Sequence, residues 1–95
     1  MDIVIKTVLL SLSVQKQLRK ADARVRTKLL SWVAAVEKSG LEVVRAIPGY
    51  HDEPLSGQRK GQRSVRLNKH WRAIYVVEGN EVRVALVVEV IPHSY

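Results

Sequence analysis

Between Glu53 and Tyr75 the chain reads EPLSGQRKGQRSVRLNKHWRAIY, a stretch that holds Arg59, Lys60, Arg63, Arg66, Lys69 and Arg72. Cations at this density can hold phosphate oxygens, and an arginine does so through two parallel hydrogen bonds. Gly57 and Gly61 punctuate the cluster. Beyond them apolar and polar residues alternate, the mark of a pleated strand whose successive side chains point to opposite faces. A sheet would therefore present several of these cations on one side.

Length and charge bound what such a cluster can serve. The 95 residues make a single domain, 1–95, with a small core. Hydrophobic residues at 46% favour folding over disorder. The formal charge of +7, from 16 Lys+Arg against 9 Asp+Glu, favours a polyanionic partner, with nucleic acid first. Cysteine is absent, which excludes disulfides and thiolate metal sites. His51, His70 and His93 are too scattered for a zinc motif, so neither metal nor cofactor is expected. The apolar run Ile3–Leu12 is broken by Lys6, is too short to span a bilayer, and lacks a basic leader and a small-residue cleavage site. The expectation is a cytoplasmic protein with no membrane partner.

The elements that must position the cluster can be read in order. Ile3 to about Leu10 is β-branched and apolar and predicts a strand, although its length also fits the start of a buried helix. Ser13 is the expected cap of a first helix carrying Val14, Leu18 and Ala21. Asp22 is the next cap. From Ala23 to about Lys38, Val25, Leu29, Val33 and Val36 form one apolar stripe, widened by Leu30 and Trp32. Gly40 ends it. Leu41–Ile47 fits either a short helix or a strand. The stretch Tyr50–Gln62 reads as a loop of a length more often functional than filler. Arg63–Asn68, Trp71–Glu78 and Val82–Ile91 read as strands.

Turn chemistry predicts the register. Gly79-Asn80 suits a tight primed turn, which pairs Val77 with Val82, Tyr75 with Val84, Ala73 with Leu86 and Trp71 with Val88 on a core face. The opposite face then takes Arg72, Ile74, Val76, Arg83, Ala85, Val87 and Glu89, and the same parity leads on to His93 and Tyr95. A three-residue turn Asn68-Lys69-His70 puts Leu67 opposite Trp71, Val65 on the core face, and Arg66 opposite Arg72. Two opposed arginines repel, and an anion between them would relieve the cost. The final run is apolar at nearly every position, as in a central strand covered on both sides.

With these residues in hand, the chain resembles the RelE/YoeB/HigB superfamily of type II toxins, and within it the RelE/StbE-type ribonucleases. The resemblance rests on Glu53-Pro54-Leu55, Gly-x-Arg-Ser-x-Arg from Gly61 to Arg66, Trp71-Arg72-x-Ile-Tyr to Tyr75, and the closing His-x-Tyr. It implies an α+β RelE-like fold: an N-terminal strand and a two-helix hairpin packed on one face of a mainly antiparallel sheet of about four strands. It also implies a metal-free endoribonuclease that cuts mRNA in the ribosomal A site and stops translation. A cognate antitoxin would hold it in check as a hetero-oligomer, with mRNA and the ribosome as its other partners.

Cleavage of this kind uses the RNA 2′-hydroxyl as nucleophile and needs a base, cations for the transition state, and an acid for the leaving 5′-oxygen. The resemblance puts the catalytic arginine at Arg72, with Arg66 beside it. Glu53 matches the general base of YoeB-like members, and a solvated loop acid is the competing reading. His93 can serve as base or acid. Tyr95 would orient the phosphate, stack on a base, or act as the acid. Lys60, Arg59, Arg63, Lys69 and Arg83 are expected to bind RNA. Two other classes compete: a ParE-like toxin that inhibits gyrase, and a basic nucleic-acid-binding module without catalysis.

Overall fold

The computed structural model describes residues 4–79 and 83–92. Strand β1 (Val8–Leu10) leads into helix α1 (Leu12–Lys20), then α2 (Ala23–Ser39) and the short α3 (Leu41–Arg45). Strands β2 (Glu53–Pro54), β3 (Arg63–Arg66), β4 (Trp71–Glu78) and β5 (Val84–Pro92) follow. Together they form a five-stranded sheet in the order β1-β5-β4-β3-β2. β1 runs parallel to β5 and every other pairing is antiparallel. The α+β class and the mainly antiparallel sheet are as expected. The extra strand is β2, two residues of the presumed loop that pair with β3. Among the described residues no helix is long and apolar enough to cross a membrane.

The helix ends follow side-chain chemistry. Asp22 caps α2, accepting from the Arg24 amide at 2.8 Å. α1 begins earlier than the sequence suggests: Ser11, not Ser13, is its cap, its hydroxyl accepting from the Val14 amide at 3.1 Å. Ser11→Ala should therefore destabilise the fold by about 1 kcal/mol, while Ser13→Ala, on an exposed helical position, should change thermal unfolding little. Arg26 closes the far end of α1, its guanidinium donating to the carbonyls of Leu18 (2.9 Å) and Ala21 (3.2 Å). Gly40 follows α2 at φ +89°, and a Cβ there would meet Val4 at 3.1 Å. The Leu41 amide beyond it donates to the Ile5 carbonyl at 2.8 Å, so the turn also fastens the residues leading into β1.

Of the predicted α2 stripe Val25, Leu29 and Val36 are fully buried and Val33 only half-buried; of the two residues expected to widen it, Trp32 is fully buried and Leu30 exposed. Leu41–Arg45 resolves as helix, burying Leu41 and Val44. The sheet contributes Val65, Ala73, Tyr75, Ala85, Val87 and Val90 to the same core. Trp32 and Tyr75 meet at its centre, ring centroids 5.2 Å apart. Tilted aromatic contacts of this kind add to the burial of their area.

The two hairpins differ in how they match the sequence reading. For β3–β4, Arg66 pairs with Arg72 and Val65 with Ala73, as the three-residue turn requires. Asn68 holds that turn, its side-chain oxygen accepting from the amides of His70 and Trp71, both at 2.9 Å. For β4–β5 the expected register is wrong. Tyr75 pairs with Val87, Val76 with Leu86, Val77 with Ala85 and Glu78 with Val84, so the connection is longer than a two-residue turn. Ala85 and Val87, placed by sequence on the outer face, are core residues, while Leu86 and Val88 are only half-buried. A register shift beside Ile74 and Tyr75 then re-phases the strand. Val88 is the extra residue, Val90 turns into the core, and Glu89 lies opposite Ile74. A strand apolar at both parities carries no alternation to set its register.

Candidate functional site

The face of the sheet away from the helices collects charge in two rows. In the first, register partners run Glu53–Ser64–Ile74–Glu89 from β2 to β5. In the second they run Arg66–Arg72–Ile91. Directly opposed residues have Cβ atoms roughly 5 Å apart, so Arg66 and Arg72 form a fixed pair of cations. A pocket of about 130 Å³ opens here, lined by Glu53, Leu55, Arg59, Ser64, Arg72 and Ile91, with Ile74 beside them. Glu53 is exposed and Arg72 half-buried.

Two further features shape the pocket. The Arg59 guanidinium donates to Glu89 at 2.6 Å and to the side-chain oxygen of Gln62 at 2.9 Å. Ser64 is 2% exposed, and its hydroxyl has no hydrogen-bond partner among the described residues. The edge strand β2, the connection after it, β3 and β4 thus bring Glu53, Arg59, Ser64 and Arg72 to one concavity. The arrangement can bind a phosphodiester through Arg72 and Arg66 and set a carboxylate beside it.

No protein-family model matches the chain, and no curated protein matches it either. Solved structures do. The YoeB/ParE toxin from Agrobacterium tumefaciens superposes with a TM-score of 0.68 at 21% identity, covering 93% of this chain and 99% of that one. YafQ from E. coli gives 0.70 at 19% identity over 93% of both chains. The toxin–antitoxin complex RelBE2 from Mycobacterium tuberculosis gives 0.68 at 16% identity over 95% and 100%. The chain has the RelE-like toxin fold.

On this RelE-like scaffold the expected site residues separate into groups. Arg72, Arg66, Glu53 and Arg59 share the outer face. Lys60 is exposed in the β2–β3 connection beside Arg59. Lys69 lies elsewhere, on the β3–β4 turn at a groove shared with Asp22 and Arg24 near the start of α2. Arg83 is not on the outer face of a strand: it is exposed just before β5 begins, because the β4–β5 register differs from the two-residue turn. His93 and Tyr95 lie outside the described residues.

Arg63 sits on the other face. It pairs with Tyr75, and its Nε donates to Asp52 at 2.6 Å. The Asp52 carboxylate is fully buried and also accepts from the Tyr75 hydroxyl at 2.5 Å. Burial alone would lower the Arg63 guanidinium, but the hydrogen bond and charge of Asp52 outweigh it, and the net shift is upward. Arg63 is thus committed to holding the edge of the sheet. Sequence reasoning gave Asp52 no role, since an acid beside a histidine in a loop has no periodicity to betray its burial. The alternation of β3 was the available signal, because it puts Arg63 on the same side as Val65.

Tyr75 is held far above the ordinary phenol range, first by burial and then by the hydrogen bond and charge of Asp52, which outweigh Arg63. A raised pKa contributes stability that is complete below the unfolded value of about 10 and is lost as pH rises from there towards the folded value. The wild-type Tm should therefore fall more steeply above pH about 10 than the Tm of Tyr75→Phe, followed by circular dichroism.

Proposed function

We propose that this chain is the toxin of a type II toxin–antitoxin system, a metal-free endoribonuclease that cleaves mRNA at the ribosomal A site and so inhibits translation. The observation that carries the reading is the Arg66–Arg72 pair on the face opposite the helices, with Arg72 lining the same pocket as Glu53. The shared fold, seen here in structures of toxins and of a toxin–antitoxin complex, supports the same reading and a cognate antitoxin as partner.

The chemistry runs through one phosphodiester. The 2′-oxygen forms a bond to phosphorus and the bond to the 5′-oxygen breaks, leaving a 2′,3′-cyclic phosphate and a 5′-hydroxyl. Glu53 or His93 takes the 2′-hydroxyl proton. His93 or Tyr95 returns one to the leaving oxygen. Arg72 and Arg66 bind the nonbridging oxygens as charge builds on them. Arginine on a strand is suited to this, because its donors are fixed before the reaction begins and need not reorganise.

Mapping mRNA 5′ ends after brief expression in a bacterium tests the proposal. New ends at a constant position within codons of translated messages are the expected result. An unchanged 5′-end profile would overturn it. A gyrase supercoiling assay run on the same preparation would then identify a ParE-like activity, and RNA binding without scission would identify a noncatalytic module.

A further inference from the structure

Besides Glu53, the outer face carries a second carboxylate. Glu89 stands on a central strand, in the row that holds Ser64 and Ile74, with its side chain 34% exposed and pointing to the cationic side. A carboxylate there repels RNA. It is also the partner of Arg59, whose side chain leaves the β2–β3 connection to reach β5, although β3 and β4 lie between those strands in the sheet. Beside this pair the Ser64 hydroxyl is buried with no hydrogen-bond partner among the described residues, an arrangement that costs stability and calls for a reason.

We infer that Arg59 and Ser64 form a phosphate subsite of the pocket and that Glu89 is its internal occupant. This rests on RNA being the ligand of the face. The Glu89 carboxylate holds Arg59 as a phosphate would, keeping the guanidinium ordered and partly desolvated in the free chain. An incoming RNA phosphate takes over Arg59 and gains the Ser64 hydroxyl as a neutral donor. Glu89 thereby sets affinity: the chain gives up part of its phosphate attraction until a ligand with more than one contact arrives. The subsite adds a third fixed donor group to the Arg66–Arg72 pair.

Binding of the full-length chain to a fluorescent, all-2′-deoxy oligonucleotide tests this without depending on cleavage, since the oligonucleotide lacks the nucleophile. Glu89→Gln should bind about tenfold tighter at low salt, with the slope of log K against log salt steeper by about 0.7, the increment for one phosphate on a single strand, because no freed carboxylate takes up a cation to offset the counterion that Arg59 releases. The gain should vanish in the Arg59→Ala background, as a double-mutant cycle requires. Ser64→Ala should bind about fivefold more weakly and yet melt about 5 °C higher, because it removes a buried unpaired hydroxyl. A purely structural serine would lower the melting temperature instead.

Equal or weaker binding by Glu89→Gln, or a gain that survives without Arg59, overturns the inference. So does a fall in kcat for Glu89→Gln on ribosome-bound message with its binding unchanged, which would make Glu89 a proton acceptor. A wild-type chain that shows these binding shifts but never cuts message would refute the proposed nuclease and leave the subsite standing.

Discussion

Arg72→Ala should lose about 10²–10³-fold in the rate of message cleavage while unfolding within about 1 kcal/mol of wild type. The large functional loss follows from position. Arg72 lies on a long strand hydrogen-bonded on both sides, to β3 and to β5, so its guanidinium is presented by a backbone that does not need to order on binding. It lines the pocket that also takes Glu53 and Ser64. The small structural loss follows from its register partner: removing one of two directly opposed arginines relieves a repulsion. Arg72→Lys should recover only part of the activity, roughly tenfold short of wild type, because an ammonium keeps the charge without the planar two-donor fork. In vitro cleavage of ribosome-bound message, with circular dichroism on the same samples, reads both effects. Cleavage by Arg72→Ala within a few-fold of wild type would remove Arg72 from the chemistry.

Asp52→Ala should be the most damaging single change to stability outside the apolar core, about 3 kcal/mol, or a Tm lower by roughly 12–20 °C. The buried carboxylate is the common acceptor for Arg63 and the Tyr75 hydroxyl, at 2.6 and 2.5 Å. Its loss leaves a phenol unpaired in the core and a guanidinium without its counter-charge. Arg63 is 22% exposed, so water recovers part of that charge, and the cost falls below the value for a fully buried pair. Asp52→Asn keeps the volume and one acceptor, and should lie between alanine and wild type. Because Glu53 follows Asp52 directly and pairs with Ser64, loosening this edge should also weaken whatever Glu53 does in the pocket. Urea denaturation measures the first effect. A midpoint unchanged in Asp52→Ala would show that the cluster is not what holds β2 to the sheet.

Much of the site's frame was legible from local rules. The β3–β4 turn has its length written in adjacent residues, so the opposition of Arg66 and Arg72 follows from the sequence, while the hold of the Asn68 side chain on that turn shows only in the fold. The α2 stripe and the Asp22 cap were equally local. The register of β5 is not local information. β5 is apolar at both parities, so nothing in its own composition chooses a register. The core chose it, by burying Ala85, Val87 and Val90 and expelling Val88 as a bulge. That bulge returns Glu89 to the outer face, where it meets Arg59.

By itself, then, the order of residues determined the α+β class, the helix pair, the β3–β4 register and which strand carries Arg72 outward, because each of these depends on periodicity or turn geometry within a few positions. Only the folded chain decided which cations are engaged by acids: Arg63 by Asp52 behind the sheet, Arg59 by Glu89 in front of it. Those pairings join residues 11 and 30 positions apart. A charge's partner is set by distance and desolvation in three dimensions, and neither is encoded in spacing along the chain.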